Sequence, residues 1–245
     1  MKGRRTAPRP ASASGTRVSV VTFDEMEAVL WARLEALPPA ARAELIHVLP
    51  LVLLGAYAGL RFGEASALRT PHLHLLERRV EISEGCAEVN GKLYVGPLKT
   101  KESRRVVTIP AFLADELGVH LAGVRSDADL IFPSPTGGPI RRTNFGHRFW
   151  TPAVMAAGIS PAPTFHALRH FAAALAIAQG AHPKAIQARM GHASITTTLN
   201  TYGHLFPSLD VELAERLEEV RADALAARLR RVGPEGVVPI ERARR

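Results

Sequence analysis

The sequence predicts an α+β fold that is mainly helical, with one small three-stranded antiparallel sheet. Apolar residues recur at helical spacing through most of the chain before residue 60 and after residue 110. Between these two parts, three short segments alternate apolar and polar residues and contain Val, Ile and Tyr, which is typical of strands. The 245 residues are enough for one or two compact domains with a buried core.

Two helices are predicted before the sheet. Thr22 is followed by two acidic residues and then by apolar spacing, which predicts a helix that begins there and runs to about Leu37. Two prolines follow and end it. A second, strongly apolar helix is predicted over residues 40–57, with a kink at Pro50.

The three predicted strands are residues 79–83, 93–98 and 104–109, in the order of a simple meander. Asn90-Gly91 is the pair of residues that two-residue hairpin turns prefer, because both positions require a positive φ angle. We therefore expect a tight hairpin at this point.

Six helices are predicted after the sheet. Their predicted ranges are residues 111–121, 143–157, 164–179, 183–190, 194–201 and a long charged helix at 208–231. Thr143, Thr164 and Ser194 are the predicted capping residues of three of these helices, because a hydroxyl can accept a hydrogen bond from the first turn.

The composition excludes several classes of protein. No run of eighteen apolar residues lacks a charge or a helix breaker, so no membrane span is expected. The N-terminus has no apolar core typical of a secretory signal, and a soluble cytoplasmic protein is predicted. Cys86 is the only cysteine, which excludes an internal disulfide framework and a cysteine-rich zinc site.

The net charge of +8 makes a polyanionic partner plausible. Residues 1–17 carry five basic residues and no acidic one, and we interpret them as a flexible basic tail or linker. Residues 92–192 carry 12 basic and 5 acidic residues, so positive charge is also concentrated in the middle of the chain.

Three segments carry the residue types of a phosphate site. In GLRFGE, residues 59–64, an arginine flanked by glycines follows an apolar helix, and Glu64 is placed to hold the guanidinium of Arg61. In HALRH, His166 and Arg169 are three residues apart and share one face of a helix near its N-terminus, an arrangement that suits an anion. His192 follows a helix break, and Tyr202 lies ten residues further on.

In order and spacing, these segments resemble the catalytic domain of the tyrosine recombinases, the phage integrase family of site-specific DNA recombinases. The resemblance covers roughly residues 20 to 208 and rests on GLRFGE, LKTKESRR, HALRH, MGH and a tyrosine about ten residues later. It implies a helical bundle with a small sheet. It also implies that residues 18–208 form the catalytic domain, and that residues 209–245 form a helix and tail that can contact a neighbouring protomer.

The resemblance also implies roles for individual residues. Two arginines would clamp the scissile phosphate, an acidic residue would support the first of them, a hairpin lysine would protonate the leaving oxygen, and a tyrosine would attack. The residues at these positions, with the two histidines of the motifs, are Arg61, Glu64, Lys99, His166, Arg169, His192 and Tyr202. Cations near Tyr202 are expected to favour its phenolate, and His166 is a candidate base.

The implied partner is double-stranded DNA, bound by a tetramer on paired sites, with a monomer possible without DNA. Neither ATP nor a metal ion is implied as a cofactor, because the bond energy stays in the covalent intermediate. A phage, another mobile element or the bacterial nucleoid is the expected setting. The candidate phosphate contacts outside the catalytic set are Lys101, Arg104, Arg105, Arg141, Arg142, Lys184 and Arg189. Lys101 is also an alternative to Lys99, because both could point to one face of a strand.

Three other hypotheses remain open at this stage. His166 and His170 have the i, i+4 spacing of a helical zinc pair, although Ala167 stands where a zinc protease would have its glutamate. A type IB topoisomerase would use the same kinds of residue without paired sites. A DNA-binding fragment with little activity of its own is the third, since family members carry a preceding helical domain that this chain is expected to lack.

Overall fold

The structure is a computed structural model and describes residues 24, 26, 28, 48–124, 129–206 and 209–231. Asp24, Met26 and Ala28 are helical, inside the first predicted helix. The rest of that helix, the first part of the second and the two predicted tails lie outside the described residues.

The described residues form a mainly helical fold with a small antiparallel component, as predicted. The helices are α1 (Leu49–Leu53), α2 (Phe62–Ser66), α3 (Ala111–Gly123), α4 (Arg142–Phe145), α5 (Thr151–Ala156), α6 (His166–Ala178), α7 (Pro183–Met190), α8 (Ile195–Tyr202) and α9 (Leu209–Arg231). Wider π-helical turns continue α1 (Leu54–Ala58) and join α4 to α5 (Gly146–Trp150), and short 3-10 turns lie at Thr70–His72 and Gly203–Leu205. The strands are β1 (Leu73–His74), β2 (Arg79–Ile82), β3 (Glu84–Val89), β4 (Lys92–Pro97) and β5 (Arg105–Thr108).

The predicted strand order was wrong. β1, β2 and β5 form a three-stranded antiparallel sheet, while β3 and β4 form a separate hairpin. The hairpin turn is the predicted one, since Asn90 and Gly91 have φ angles of 50° and 73°. This turn pairs β4 with β3, so β2 is left to pair with β5, and their shared apolar face (Val80, Val107) is buried.

The helices after the sheet follow the predictions closely, with bounds that differ by no more than two residues. Ser194 caps α8 as predicted, and its hydroxyl accepts the backbone N–H of Thr196 at 3.1 Å. The residues that precede α6 and α4 are Phe165 and Arg141 rather than the predicted threonines, and neither makes a side-chain cap. Pro50 lies in the first turn of α1, where its missing N–H costs nothing, rather than at a kink.

An aromatic cluster fills the core behind the N-terminus of α6. The rings of Phe62 and Phe145 each meet the ring of Phe165 edge to face, with centroids 5.3 and 5.5 Å apart. Trp150 packs on the same ring at 6.0 Å. The helix is thereby held at the residue just before His166, and the position of that histidine follows from the core packing.

The C-terminal residues form a second unit, divided from the first between Gly203 and His204. It contains α9, whose apolar residues Leu213, Leu217 and Val220 are exposed. Among the described residues, no helix is long and apolar enough to cross a membrane.

We expect Gly59→Ala to destabilise the fold more than a glycine replacement at a similar angle elsewhere. Gly59 has a φ of 70° and ends the π-helical turn, and a Cβ there would lie 2.6 Å from Cε of Met190. The end of the Met190 side chain is flexible but fully buried, so it can move only by displacing its neighbours, and the angle and the clash together should lower the free energy of unfolding by about 2 kcal/mol.

The matched control for this variant is Gly180→Ala, at a φ of 73° with no heavy atom within 4 Å of the added Cβ. This variant should lose only the conformational part, about 1 kcal/mol. Chemical denaturation of both variants measures the difference, and equal losses would contradict the close contact between Gly59 and Met190.

Candidate active site

The backbone reverses direction between α1 and α2 and presents Arg61 at the surface. Gly59 supplies the left-handed turn, and Arg61 follows in an extended conformation just before α2. Its backbone N–H donates to Oε2 of Glu64 at 2.9 Å, and its Nη1 donates to Oε1 at 2.8 Å. The Arg61 side chain is 42% exposed, so one terminal nitrogen of its guanidinium is held by Glu64 while the rest of the group is accessible to solvent.

Glu64 is a buried carboxylate between two arginines. Besides Arg61, it accepts Nη1 of Arg105 at 3.2 Å on Oε1 and Nη2 of Arg105 at 3.0 Å on Oε2. Burial alone would raise the pKa of Glu64, but the hydrogen bonds and positive charges of Arg105 and Arg61 together hold it below its ordinary value. Glu64 is therefore ionised at neutral pH and supports Arg61, which is the contact expected from the sequence.

Arg169 is buried beneath the site. Its Nη1 donates to the carbonyl oxygen of Gly59 at 2.5 Å, and its Nη2 donates to the carbonyl oxygen of Met190. Burial and then the positive charge of Arg61 lower the pKa of Arg169 to about 9, so the guanidinium stays charged at neutral pH. One side chain thus joins the GLRFGE, HALRH and MGH segments.

His166 lies at the first position of α6, on the side of the site that faces solvent. Together with Arg61 and Arg142 it lines an open cavity of about 390 Å³. Partial burial, followed by the positive charges of Arg169 and Arg61, lowers the pKa of His166. The cavity combines two arginines with an imidazole, which are groups that hold an anion.

His192 is held by a residue that the sequence analysis did not single out. Its Nδ1 lies 2.9 Å from Oγ1 of the fully buried Thr198, and its carbonyl oxygen accepts Nε2 of Gln187 at 3.0 Å. Burial and then the positive charges of Arg169 and Arg61 lower the pKa of His192 to about 4. His192 is therefore a neutral imidazole. The sequence could not predict this contact, because residues six positions apart face each other only once the turn between α7 and α8 is formed.

Tyr202 lies at the end of α8 with its side chain inside the protein. The residue is 1% exposed, and its hydroxyl lies 2.8 Å from Nδ1 of His170. Burial raises the pKa of Tyr202, although the charges of Arg169 and Arg61 act to lower it. The nearby cations therefore act in the predicted direction, but in this arrangement loss of hydration outweighs them, so the phenolate is not favoured overall. The hydrogen-bonding partner is His170 rather than His166.

His170 is the second residue that the sequence analysis did not assign to the site. Its ring meets that of His166 edge to face, with centroids 4.8 Å apart. Burial, then the nearby His166 and Arg169, lower the pKa of His170 to about 4, so this imidazole is neutral and can accept the tyrosine proton in a hydrogen bond. Among the described residues, no group of three or more metal-binding side chains surrounds the His166 and His170 pair.

Both candidate lysines lie in the loop between β4 and β5. β4 ends at Pro97 and β5 begins at Arg105, so neither lysine is part of a strand. Lys99 and Lys101 are both exposed. The argument that they share one face of a strand was therefore wrong. A hydrogen bond of 2.9 Å between the hydroxyls of Thr100 and Ser103 holds the loop, and the choice between the lysines stays open.

Two of the candidate phosphate contacts donate hydrogen bonds within the protein, which corrects the expectation for the buried Arg105, while contact of the half-buried Arg189 with DNA stays a prediction. Arg105 is 5% exposed at its side chain and is paired with Glu64. Arg189 donates to the carbonyl oxygens of Thr108 at 2.9 Å and Tyr57 at 2.6 Å. Both guanidiniums are occupied with acceptors that the fold supplies.

The other candidate contacts lie at the surface. Lys101, Arg104, Arg142 and Lys184 are exposed. Arg141 is half-exposed, pairs with Glu88 at 2.6 Å and donates to the carbonyl oxygen of Gly91 at 2.8 Å, so it braces the β3–β4 hairpin. These positions remain predictions for DNA contact.

Comparison with known proteins shows the family to which the sequence is similar. The sequence profile of the phage integrase family matches residues 20–208. The chain is 29% identical over 171 residues to the ICEBs1 integrase of Bacillus subtilis (strain 168), which covers 66% of this chain and 46% of that protein. It is 30% identical over 182 residues to the tyrosine recombinase XerD of Vibrio cholerae serotype O1, and this alignment covers 74% of this chain and 57% of that protein. The chain spans about half the length of the curated relatives it matches.

Two solved structures show the same fold. The integrase of the Tn1549 transposon, in complex with circular intermediate DNA, matches with a TM-score of 0.65 and 20% identity, over 81% of this chain and 66% of that one. The XerA recombinase matches with a TM-score of 0.59 and 24% identity, over 80% of this chain and 64% of that one.

We expect His170 and His192 to remain neutral well below the pH at which an ordinary histidine titrates. Each has a pKa of about 4, because burial and the neighbouring cations disfavour the imidazolium. Long-range 1H–15N NMR spectra at pH 5.5 should therefore show neutral rings at both positions.

The signals can be assigned with His170→Gln and His192→Gln.

Since the unfolded chain takes up these protons at ordinary histidine pKa values, the free energy of unfolding should also fall as the pH is lowered from 7 to 5. Titration of either ring with a midpoint near 6.5 would contradict the described environment.

Proposed function

Because this chain belongs to the phage integrase family, we propose that it is the DNA-cleaving part of a tyrosine-type site-specific recombinase. It would break and rejoin double-stranded DNA through a covalent link between Tyr202 and a 3′-phosphate. The observation that carries the proposal is the convergence of three motifs distant in sequence. Arg169 bonds to Gly59 and Met190, and the charges of Arg61 and Arg169 both act on Tyr202.

The proposed step is a phosphoryl transfer. The Tyr202 oxygen loses its proton and bonds to phosphorus, while the bond from phosphorus to the 5′-oxygen breaks and that oxygen leaves as a hydroxyl after taking up a proton. The reverse step with another 5′-hydroxyl restores the tyrosine and joins new strands. The phosphodiester energy is kept in the tyrosyl link, so the step as written needs no further source of energy.

The positive groups of the site suit the charge that develops in this step. Negative charge grows on the phosphoryl oxygens during attack, and fixed cations in a site that excludes water stabilise it strongly. Arg61 has an open guanidinium beside the cavity, and Arg142 and His166 line the same cavity. We assign Lys99, or Lys101 two residues later, as the acid that protonates the leaving 5′-oxygen.

In the conformation described, Tyr202 is covered, so the reaction requires it to move. Its residue is 1% exposed and its hydroxyl is bonded to His170. We therefore interpret the structure as the resting arrangement. In our proposal, bound DNA supplies the contacts that replace the bond to His170.

We propose that the working assembly is a tetramer on paired DNA sites, with the isolated chain as a possible monomer. Leu213, Leu217 and Val220 of α9 are exposed apolar residues on one helix and suit a contact with a neighbouring protomer. The related Tn1549 integrase was solved in complex with DNA, which supports DNA as the partner here.

We expect the chain to form a covalent adduct with DNA that depends on Tyr202. The protein can be incubated with a library of fragmented DNA, denatured in detergent and recovered with the DNA covalently attached, which is then sequenced. Wild type should yield adducts with a shared sequence at the break. Tyr202→Phe, which keeps the ring and loses the nucleophile, should yield none.

Tyr94, an exposed tyrosine of β4, provides the control, and Tyr94→Phe should retain the adduct. Adducts that survive Tyr202→Phe would refute the assignment of the nucleophile. Adducts without any common sequence, together with relaxation of supercoiled plasmids, would instead favour a topoisomerase activity.

We expect Arg61→Lys to lower the rate of adduct formation by about 100-fold while DNA binding stays nearly unchanged. An ammonium keeps the charge but cannot offer two parallel hydrogen bonds to a phosphate. Arg79→Lys, at an exposed arginine of β2, is the control. A rate for Arg61→Lys equal to that of the control would show that the guanidinium does not contact the phosphate.

A further inference from the structure

The buried side chain of Arg105 donates four hydrogen bonds to other groups of the protein. Arg105 begins β5, directly after the loop that carries Lys99 and Lys101. Its Nη1 and Nη2 donate to the two carboxylate oxygens of Glu64, at 3.2 and 3.0 Å. Its Nε donates to the carbonyl oxygen of Arg189 at 2.7 Å, and its Nη1 also donates to that of Ser103 at 3.0 Å.

These acceptors belong to three separate parts of the site. Glu64 lies in α2 and holds Arg61, Arg189 lies in the last turn of α7 before His192, and Ser103 lies in the lysine loop. Gly191 leaves room for the arginine stem, because a Cβ there would lie 3.1 Å from Cδ and Nη1 of Arg105. The fold therefore brings all three parts to a single guanidinium.

We propose that Arg105 is a positioning residue. It fixes the relative positions of the Arg61 guanidinium, the loop that carries Lys99 and Lys101, and the end of α7 that precedes His192. This inference rests on the proposed function, because these relative positions matter only if the groups act on one phosphate. The Arg105 side chain is only 5% exposed, so in this proposal it acts through the groups that it holds rather than by contact with DNA. Lysine could not replace it, since three acceptor directions at fixed angles require the planar fork of a guanidinium.

The charge of Arg105 has a consequence of its own for Glu64. The charged groups that act on this buried carboxylate are Arg105 and Arg61, and its own charge acts in turn on Arg169 and His166. Arg61 is half-exposed and lies at the surface, so Arg105 is the main buried counter-charge. Without it, burial would raise the pKa of Glu64, and a protonated Glu64 would hold Arg61 less firmly.

The proposal is tested with Arg105→Met, which keeps the volume and removes the charge, and with Arg105→Lys, which keeps the charge without the fork. On the duplex recovered from the covalent adducts, Arg105→Met should lower the rate of adduct formation by about 100-fold, because a small displacement of a catalytic group has this effect. Arg105→Lys should lose about tenfold. Both variants should bind that duplex as wild type does.

The pH dependence of unfolding separates positioning through Glu64 from simple packing. In wild type, the depressed pKa of Glu64 stabilises the fold above the ordinary carboxyl pKa, and this contribution is lost as the pH falls. In Arg105→Met the raised pKa of Glu64 reverses the sign of this contribution, so the deficit in the free energy of unfolding relative to wild type should be largest at pH 8 and shrink as the pH falls through the carboxyl range toward pH 3. Adding Glu64→Gln to Arg105→Met should reduce the deficit at pH 8, because it removes the buried charge left without Arg105, while the adduct rate should stay low, because a neutral side chain holds Arg61 less firmly.

Arg69→Met is the matched control, since Arg69 forms a half-buried ion pair with Glu84 outside the site. It should leave the adduct rate unchanged. An Arg105→Met protein that folds and keeps the wild-type adduct rate would overturn the proposal. A deficit that does not change with pH, or that Glu64→Gln makes worse, would also overturn it. If wild type forms no adduct, the proposed function fails, while the unfolding measurements still test the coupling of Arg105 to Glu64.

Discussion

The hydrogen bonds of Arg169 hold the candidate site together. Its guanidinium bonds to the carbonyl oxygens that end two helical segments, at Gly59 and at Met190, and these segments carry Arg61 and His192. Carbonyls at helix ends have no partner within their own helix and favour a cation. The side chain of Met190 also packs against Gly59, so apolar contact adds to the hydrogen bonds that join these two segments. The turn before Arg61 and the segment before His192 are therefore both fixed to α6.

Positive charge is concentrated in the site and compensated by only one buried carboxylate among the described residues. Arg61, Arg105 and Arg169 lie close enough to influence one another, and Glu64 balances part of their charge. Burial first, and then this positive charge, lower the pKa of His170 and of His192 and keep both imidazoles neutral. A bound phosphodiester would bring the missing negative charge. The same electrostatic excess that makes protonation costly therefore favours an anionic ligand.

Burial decides the state of the tyrosine. Two arginines act to lower the pKa of Tyr202, yet the loss of water around its hydroxyl raises it further than they lower it. The hydroxyl is thus a neutral group bonded to His170, in the arrangement that we interpret as resting. Moving this residue toward a hydrated, anionic substrate would remove the burial and leave the cations. In our proposal, Tyr202 therefore becomes able to attack a phosphate only after it has moved out of this buried position.

The sequence alone determined the fold class, most helix positions and the residue types of the site, because helical spacing, turn residues and ordered motifs are local signals. The Asn90-Gly91 turn and the Ser194 cap are of this kind, and both were predicted correctly. Only the tertiary structure decided the strand order and the partners of Arg105, Tyr202 and His192. Hydrogen bonds between residues far apart in sequence leave no periodic trace, and burial, which sets the sign of a pKa shift, is a property of the packed chain.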